Sequence, residues 1–248
     1  MLFRSLRGWS YAIVGNSENA LEDLNMAIRI NPRLSLAYHE RAQIRAGKGL
    51  SEKALQDYNR TIELSPNFTN AYNNRGVFYF DRKQWTEAIQ DFSRVIELEP
   101  TLGIPYSNRG EIYRIQGELE KAMEDCNLAI QYSSNHPTFY SNRGHVYFDR
   151  EDYENAIQDY TQAIALAPNA AAFSYYRGLA RFEFGSLEKA LEDFSRALEL
   201  NPDMANAHLY RARTHEGMEK WQEAVDDYQI ATRIPANAAE AFSVSGYS

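Results

Sequence analysis

Apolar and small residues recur along this chain in two alternating patterns, and the whole arrangement repeats every 34 residues. Number each 34-residue frame from 1, starting at Met1. At about 100° per residue, positions 4, 7, 8 and 11 share one face of a first helix, and positions 20, 24 and 27 share one face of a second. Position 20 is alanine throughout: Ala20, Ala54, Ala88, Ala122, Ala156, Ala190 and Ala224. Position 8 is always small: Gly8, Ala42, Gly76, Gly110, Gly144, Gly178 and Ala212. Position 24 is Leu24, Tyr58, Phe92, Cys126, Tyr160, Phe194 and Tyr228. Small residues at 8 and 20 let two helix backbones approach closely. Turns with glycine or charge, such as RAGKGLSEK, separate the helices. Proline at 32 (Pro32, Pro66, Pro100, Pro168, Pro202) ends the second helix, because it disfavours helical geometry in the residue before it.

Seven frames follow without insertion: 1–34, 35–68, 69–102, 103–136, 137–170, 171–204 and 205–238. Residues 239–248 restart the pattern with Phe242 at position 4 and Gly246 at position 8. Ser245 stands where arginine would be, so this segment reads as a partial helix of an eighth repeat or a C-terminal cap. One such hairpin cannot bury its apolar face alone, whereas stacked neighbours can, which predicts a quasi-one-dimensional array.

As a set, these positions resemble the tetratricopeptide repeat. That pattern is small at 8, aromatic at 11, alanine at 20, aromatic at 24, alanine at 27 and proline at 32. The chain departs from it at position 7, usually leucine, and at position 4, where tyrosine replaces tryptophan in four frames. The resemblance implies an all-α, right-handed α-α superhelical solenoid of helix-turn-helix repeats. It also implies a non-catalytic protein–protein interaction scaffold, binding an extended peptide or protein segment in a concave groove.

Position 7 is arginine and position 23 aspartate in every frame, from Arg7 and Asp23 to Arg211 and Asp227. The two flank the buried faces of the two helices, so they can meet within a hairpin or across to a neighbour. A guanidinium can hold a carboxylate through two hydrogen bonds. Seven anion-binding arginines are the alternative, but a ligand site varies along an array while a packing contact recurs.

Positions 2, 5, 6, 9, 12 and 13 lie on the opposite side of the first helix, the face that lines the groove in tetratricopeptide arrays. Asn74, Asn108 and Asn142 share position 6 in three consecutive frames, with Asn73 beside them at position 5. A side-chain amide can donate to and accept from a peptide backbone, or it can bond a neighbouring helix or water. The asparagines are similar to the ladder inside the tetratricopeptide superhelix of O-linked N-acetylglucosamine transferase. Further candidates are Phe80, Asp81, Glu111, Arg114, His145, Phe148, Asp149, Tyr175, Phe182 and Glu183. Acidic residues (Asp81, Glu111, Asp149, Glu183, Glu216) outnumber the basic Arg114 and Arg213, favouring a basic or neutral ligand with apolar side chains. The lysines at positions 2 and 5 by which related arrays grip a chaperone's C-terminal carboxylate are missing.

Composition narrows the remaining classes. Net charge is −8 over 248 residues, with no run of Lys or Arg longer than two, which argues against nucleic acid. No apolar run approaches the roughly 20 residues of a membrane helix. The single cysteine, Cys126, stands at core position 24, excludes an internal disulfide and suits a reducing, cytoplasmic location. No phosphate loop, nucleophile elbow or zinc spacing appears, and no cofactor or metal is expected. Two other readings stay open. The chain could be a regulatory or substrate-recruiting arm of a larger enzyme or secretion/assembly complex, or it could self-associate through open solenoid ends.

Overall fold

The computed structural model describes residues 16–235. The first helix expected at the start of frame one and the fragment 239–248 lie outside them. Among the described residues there are thirteen α-helices and no strand. Helix α1 (Ser17–Ile30) is the second helix of the first frame. Six hairpins follow: α2 (Ser35–Gly47) with α3 (Ser51–Leu64), α4 (Thr69–Phe80) with α5 (Trp85–Leu98), α6 (Gly103–Ile115) with α7 (Leu119–Tyr132), α8 (Pro137–Asp149) with α9 (Tyr153–Leu166), α10 (Ala171–Glu183) with α11 (Leu187–Leu200), and α12 (Ala205–Gly217) with α13 (Trp221–Arg233). The fold class is therefore all-α, built of tandem helix-turn-helix units. Two compact units divide within α6, between Ile112 and Tyr113.

Each hairpin turns the same way. The residue at position 15 takes the left-handed conformation in all six: Gly49, Lys83, Gly117, Glu151, Gly185 and Glu219, with φ between 57° and 81°. The amide of position 16 then donates to the carbonyl of position 11, as from Gln84 to Tyr79 (3.0 Å) and from Asp152 to Tyr147 (2.9 Å). This is the Schellman closure, which satisfies carbonyls the helix end leaves open. The second helices α1, α3, α5, α7, α9 and α11 end alike, with the position-31 amide on the position-27 carbonyl, as in Ser65 to Thr61 (2.9 Å).

The core is a file of small residues facing rings. The position-20 alanines are fully or almost fully buried. A Cβ added at Gly76 would lie 2.7 Å from the Phe92 ring, and one at Gly144 2.7 Å from the Tyr160 ring. Position 8 is small because the ring at position 24 of the same hairpin occupies its side-chain space. Cys126 replaces that ring in frame four and is buried.

The expected Arg–Asp pair forms within the hairpin. Arg75 donates from Nε and Nη2 to Asp91 (2.8 and 2.6 Å), and Arg143 does the same to Asp159 (2.8 Å each). Arg41–Asp57, Arg177–Asp193 and Arg211–Asp227 repeat it. The remaining Nη1 reaches back to position 25 of the preceding frame: Arg41 to Asn25, Arg75 to Asn59, Arg109 to Ser93, Arg143 to Asn127, Arg177 to Thr161 and Arg211 to Ser195. One guanidinium thus closes its own hairpin and ties it to the one before. The tyrosines at position 4 make a second tie. Tyr106 donates to the carbonyl of Pro100 (3.0 Å) and Tyr140 to that of Ser134 (3.1 Å), a reach an indole N–H at that site would have to replace.

Candidate functional site: the first-helix face

Within each compact unit, first helices of successive hairpins touch along positions 5, 6, 9, 12 and 13. In the unit ending at Ile112, Asn74 Nδ2 lies 3.4 Å from His39 Nε2, joining α4 to α2. Asn73 Nδ2 donates to Asn74 Oδ1 at 3.4 Å. Both distances are long for hydrogen bonds, so this is a loose polar chain. His39 is 4% exposed, tilted against Phe68 (ring centroids 4.9 Å) and edge-on to Tyr58. Burial lowers its pKa to about 4. The ring is neutral near pH 7 and accepts at Nε2, so the proton sits on Nδ1. Nδ1 and the Asn73 Oδ1 are buried without a hydrogen-bond partner. Phe80 packs edge-on against Trp85 of its own hairpin (5.4 Å), and Asp81 is exposed at the end of α4. Asn108 is buried, Glu111 half-buried.

In the unit beginning at Tyr113, the same positions are lined by rings. Arg114 Nη1 donates to Asp149 at 2.6 Å, so one of the two groove cations and one of its carboxylates neutralise each other. Asn142 is buried. His145 Nδ1 lies 2.8 Å from the Tyr160 hydroxyl, and its ring stands edge-on to Tyr176 at 4.4 Å. Tyr175 contacts Tyr176, Phe194 and Tyr210, and burial pushes its phenol well above the usual tyrosine range. Phe182 meets Tyr210 edge-on at 6.0 Å, while Phe148 packs on Tyr153 of its own hairpin. Glu183 is exposed.

The site residues expected from sequence thus fall on first helices, in two sets of different chemistry. Tyr176 and Tyr210 were not among them, although they occupy position 6, the position of Asn74. Their register was the signal. Among the described residues no group of three or more His, Cys, Asp or Glu side chains could hold a metal, and no helix is long and apolar enough to cross a membrane.

Models of the tetratricopeptide repeat match residues 69–102, 141–205 and 181–241, and a TPR repeat model matches 110–149. The chain is a tetratricopeptide repeat protein. Similar solved structures agree on the fold. A tetratricopeptide repeat protein from Parabacteroides merdae is 16% identical with a TM-score of 0.76, covering 94% of this chain and 93% of that one. A chain of the APC/C hetero-tetramer Cut9-Hcn1 is 17% identical with a TM-score of 0.77; the match covers 88% of this chain but only 43% of that one. YrrB, a TPR protein with an unusual peptide-binding site, is 21% identical with a TM-score of 0.57, covering 74% of this chain and 95% of YrrB. No curated protein sequence matches the chain. In this repeat protein, positions 7, 8, 15, 20, 23 and 24 are the frame. The first-helix face is where hairpins differ.

Proposed function

We propose that this repeat protein is a cytoplasmic, non-catalytic scaffold whose first-helix face takes an extended peptide or protein segment, over seven repeats spanning 1–238 with 239–248 as a partial helix or cap. The observation that carries the reading is the contrast just described. The frame is constant, while positions 5, 6, 9, 12 and 13 change chemistry and leave half-exposed amides on the first helices of one unit and half-exposed rings on those of the other. Neighbours with TPR folds include a peptide binder, YrrB, and a subunit assembly, Cut9-Hcn1. In the unit ending at Ile112, Asn73 and Asn74 would address the ligand backbone and Phe80 a side chain; in the unit beginning at Tyr113, Phe148, Tyr175, Phe182 and His145 would take side chains, while the buried Asn108 and Asn142 are not offered to a ligand. With Arg114 and Asp149 paired, the carboxylates Asp81, Glu183 and Glu216 stand against Arg213 on the first helices. That balance favours a basic or neutral segment with apolar side chains.

An array of extended peptides graded from basic to acidic, with and without Leu and Phe, tests this. Binding should rise with positive charge and apolar content, and weaken with salt. Asn73→Ala with Asn74→Ala should cost about tenfold in affinity, two modest hydrogen bonds, with unfolding little changed. Affinity that grows with every added carboxylate, or no binding anywhere on the array, would overturn the reading.

A further inference from the structure

Among the described residues, first-helix arginines are engaged, with one exception. Arg41, Arg45, Arg75, Arg114, Arg143, Arg177, Arg181 and Arg211 each hold a carboxylate, and Arg109 holds Ser93. Arg213, at position 9 of α12, makes no ion pair with any described residue and is exposed. It is nevertheless held in place. Its guanidinium lies over the Phe182 ring at 5.3 Å and over the Tyr210 ring at 5.1 Å. Tyr210 is itself fixed among Tyr175, Phe182 and Phe194. Stacking of this kind orients a planar cation while leaving its N–H edge available. The nearest carboxylate on the same helix is drawn elsewhere: Glu216, three residues on, accepts the Tyr228 hydroxyl at 2.6 Å. Leu209, one turn before Arg213 on the same face, is an exposed apolar neighbour.

The geometry points to Arg213 as the receptor for one carboxylate side chain of the bound segment, with Leu209 and the Phe182–Tyr210 rings taking an apolar residue beside it. This rests on the peptide-scaffold reading and adds to it. The ligand is basic or neutral overall but carries a single Asp or Glu next to a Leu or Phe. The argument is charge complementarity: a cation pre-oriented by two rings, beside carboxylates such as Glu183 and Glu216, is a place where an acidic group is attracted rather than repelled.

Matched fluorescein-labelled peptides, capped at both ends and identical except for Glu, Gln or Lys at one site beside Leu and Phe in a lysine-containing background, supply the probe. Fluorescence anisotropy at low salt should show the Glu peptide binding about fivefold or more tighter than the Gln peptide, and the Lys peptide weakest. In Arg213→Gln the Glu-to-Gln ratio should fall to near one, with the unfolding midpoint unchanged. Arg213→Lys, which keeps the charge but loses the planar fork, should retain part of the ratio. A guanidinium that only covers the rings would leave the ratio untouched in every variant, and that result overturns the assignment alone. Failure of all the peptides to bind overturns the scaffold reading with it.

Discussion

Two stretches of this repeat protein occupy the same positions on the same frame and share almost no chemistry. At positions 5 and 6, α4 presents Asn73 and Asn74 beside His39 of α2; α10 and α12 present Tyr175, Tyr176, Leu209 and Tyr210. Beneath both lies one construction: Arg75–Asp91 and Arg177–Asp193 close the hairpins, and Phe92 and Phe194 fill the space left by Gly76 and Gly178. A frame that closes without help from positions 5 and 6 leaves them free to vary. It follows that substitutions in the frame should cost stability in either stretch, and substitutions on the face only where a buried polar group is involved.

The frame itself differs between hairpins in one respect that can be tested, and the difference cuts across the two stretches: in the polar stretch Asp57 is held by both Arg41 and Arg45. Asp91 is held by Arg75 alone, because position 11 of that hairpin is Tyr79. Asp193 is held by Arg177 and also by Arg181, at position 11 (2.8 Å). Both aspartates are nearly inaccessible, at 3% and 2%. Arg75→Leu strands a buried carboxylate and should cost about 3–5 kcal/mol. Arg177→Leu leaves Arg181 in place and should cost clearly less. Urea unfolding of both variants, followed by amide exchange in the affected hairpin, measures the difference. Equal losses would show that the second arginine contributes nothing.

His39 separates the two faces through pH. Its folded pKa of about 4 lies below the ordinary 6.5. The folded state therefore favours the neutral ring. The stability it contributes is fully present above about pH 6.5 and is lost as pH falls toward 4, when the unfolded chain takes up the proton and the folded one does not. The full swing is about 3 kcal/mol, at 1.36 kcal/mol per pKa unit. His39→Leu, which gives α2 the residue that α12 has at position 5, should flatten the stability curve between pH 6.5 and 4. Near pH 7 it should cost little, since it also removes an Nδ1–H without an acceptor. Parallel curves for wild type and variant would mean the ring is protonated without penalty.

Much of this was readable from the residues, and the boundary is instructive. The frame was legible because a contact made in every hairpin leaves the same residue in every frame: arginine at 7, aspartate at 23, alanine at 20. The tie from Arg75 to Asn59 was harder to see, because position 25 varies among Asn, Ser, Thr and Gln, and any hydroxyl or carboxamide serves as acceptor. On the face, register placed the asparagines and rings on first helices. It could not show that Arg114 is consumed by Asp149, 35 residues away, or that Phe182 and Tyr210 hold Arg213. Those depend on which rotamers meet across neighbouring hairpins, and no spacing rule encodes that. The left-handed residue at position 15 stayed hidden for a different reason: glycine marks it in only three of the six described hairpins.

That last feature gives the smallest effect and a clean test of the frame's uniformity. In the polar stretch, the α2–α3 turn has Gly49 at position 15 and the α4–α5 turn has Lys83, with φ of 73° and 57°. In the aromatic stretch the α10–α11 turn has Gly185 and the α12–α13 turn has Glu219, at 81° and 59°. A residue with a Cβ in this region costs about 1–2 kcal/mol relative to its preferred conformations, whereas glycine enters freely. Glycine also makes the unfolded chain more flexible, which takes back part of that gain. Lys83→Gly and Glu219→Gly should therefore each stabilise the protein, by about 0.5–1 kcal/mol, and by similar amounts in both stretches. Lys83 and Glu219 are both exposed, so no packing or buried charge is lost with either side chain. Thermal and urea unfolding of the two single variants and the double variant decide it, the double being additive because the two turns lie in separate hairpins. Destabilisation in both would mean that the Schellman closure at the position-11 carbonyl, and not the conformation of position 15, sets the turn. Stabilisation in one alone would mean that the two stretches do not share a frame after all.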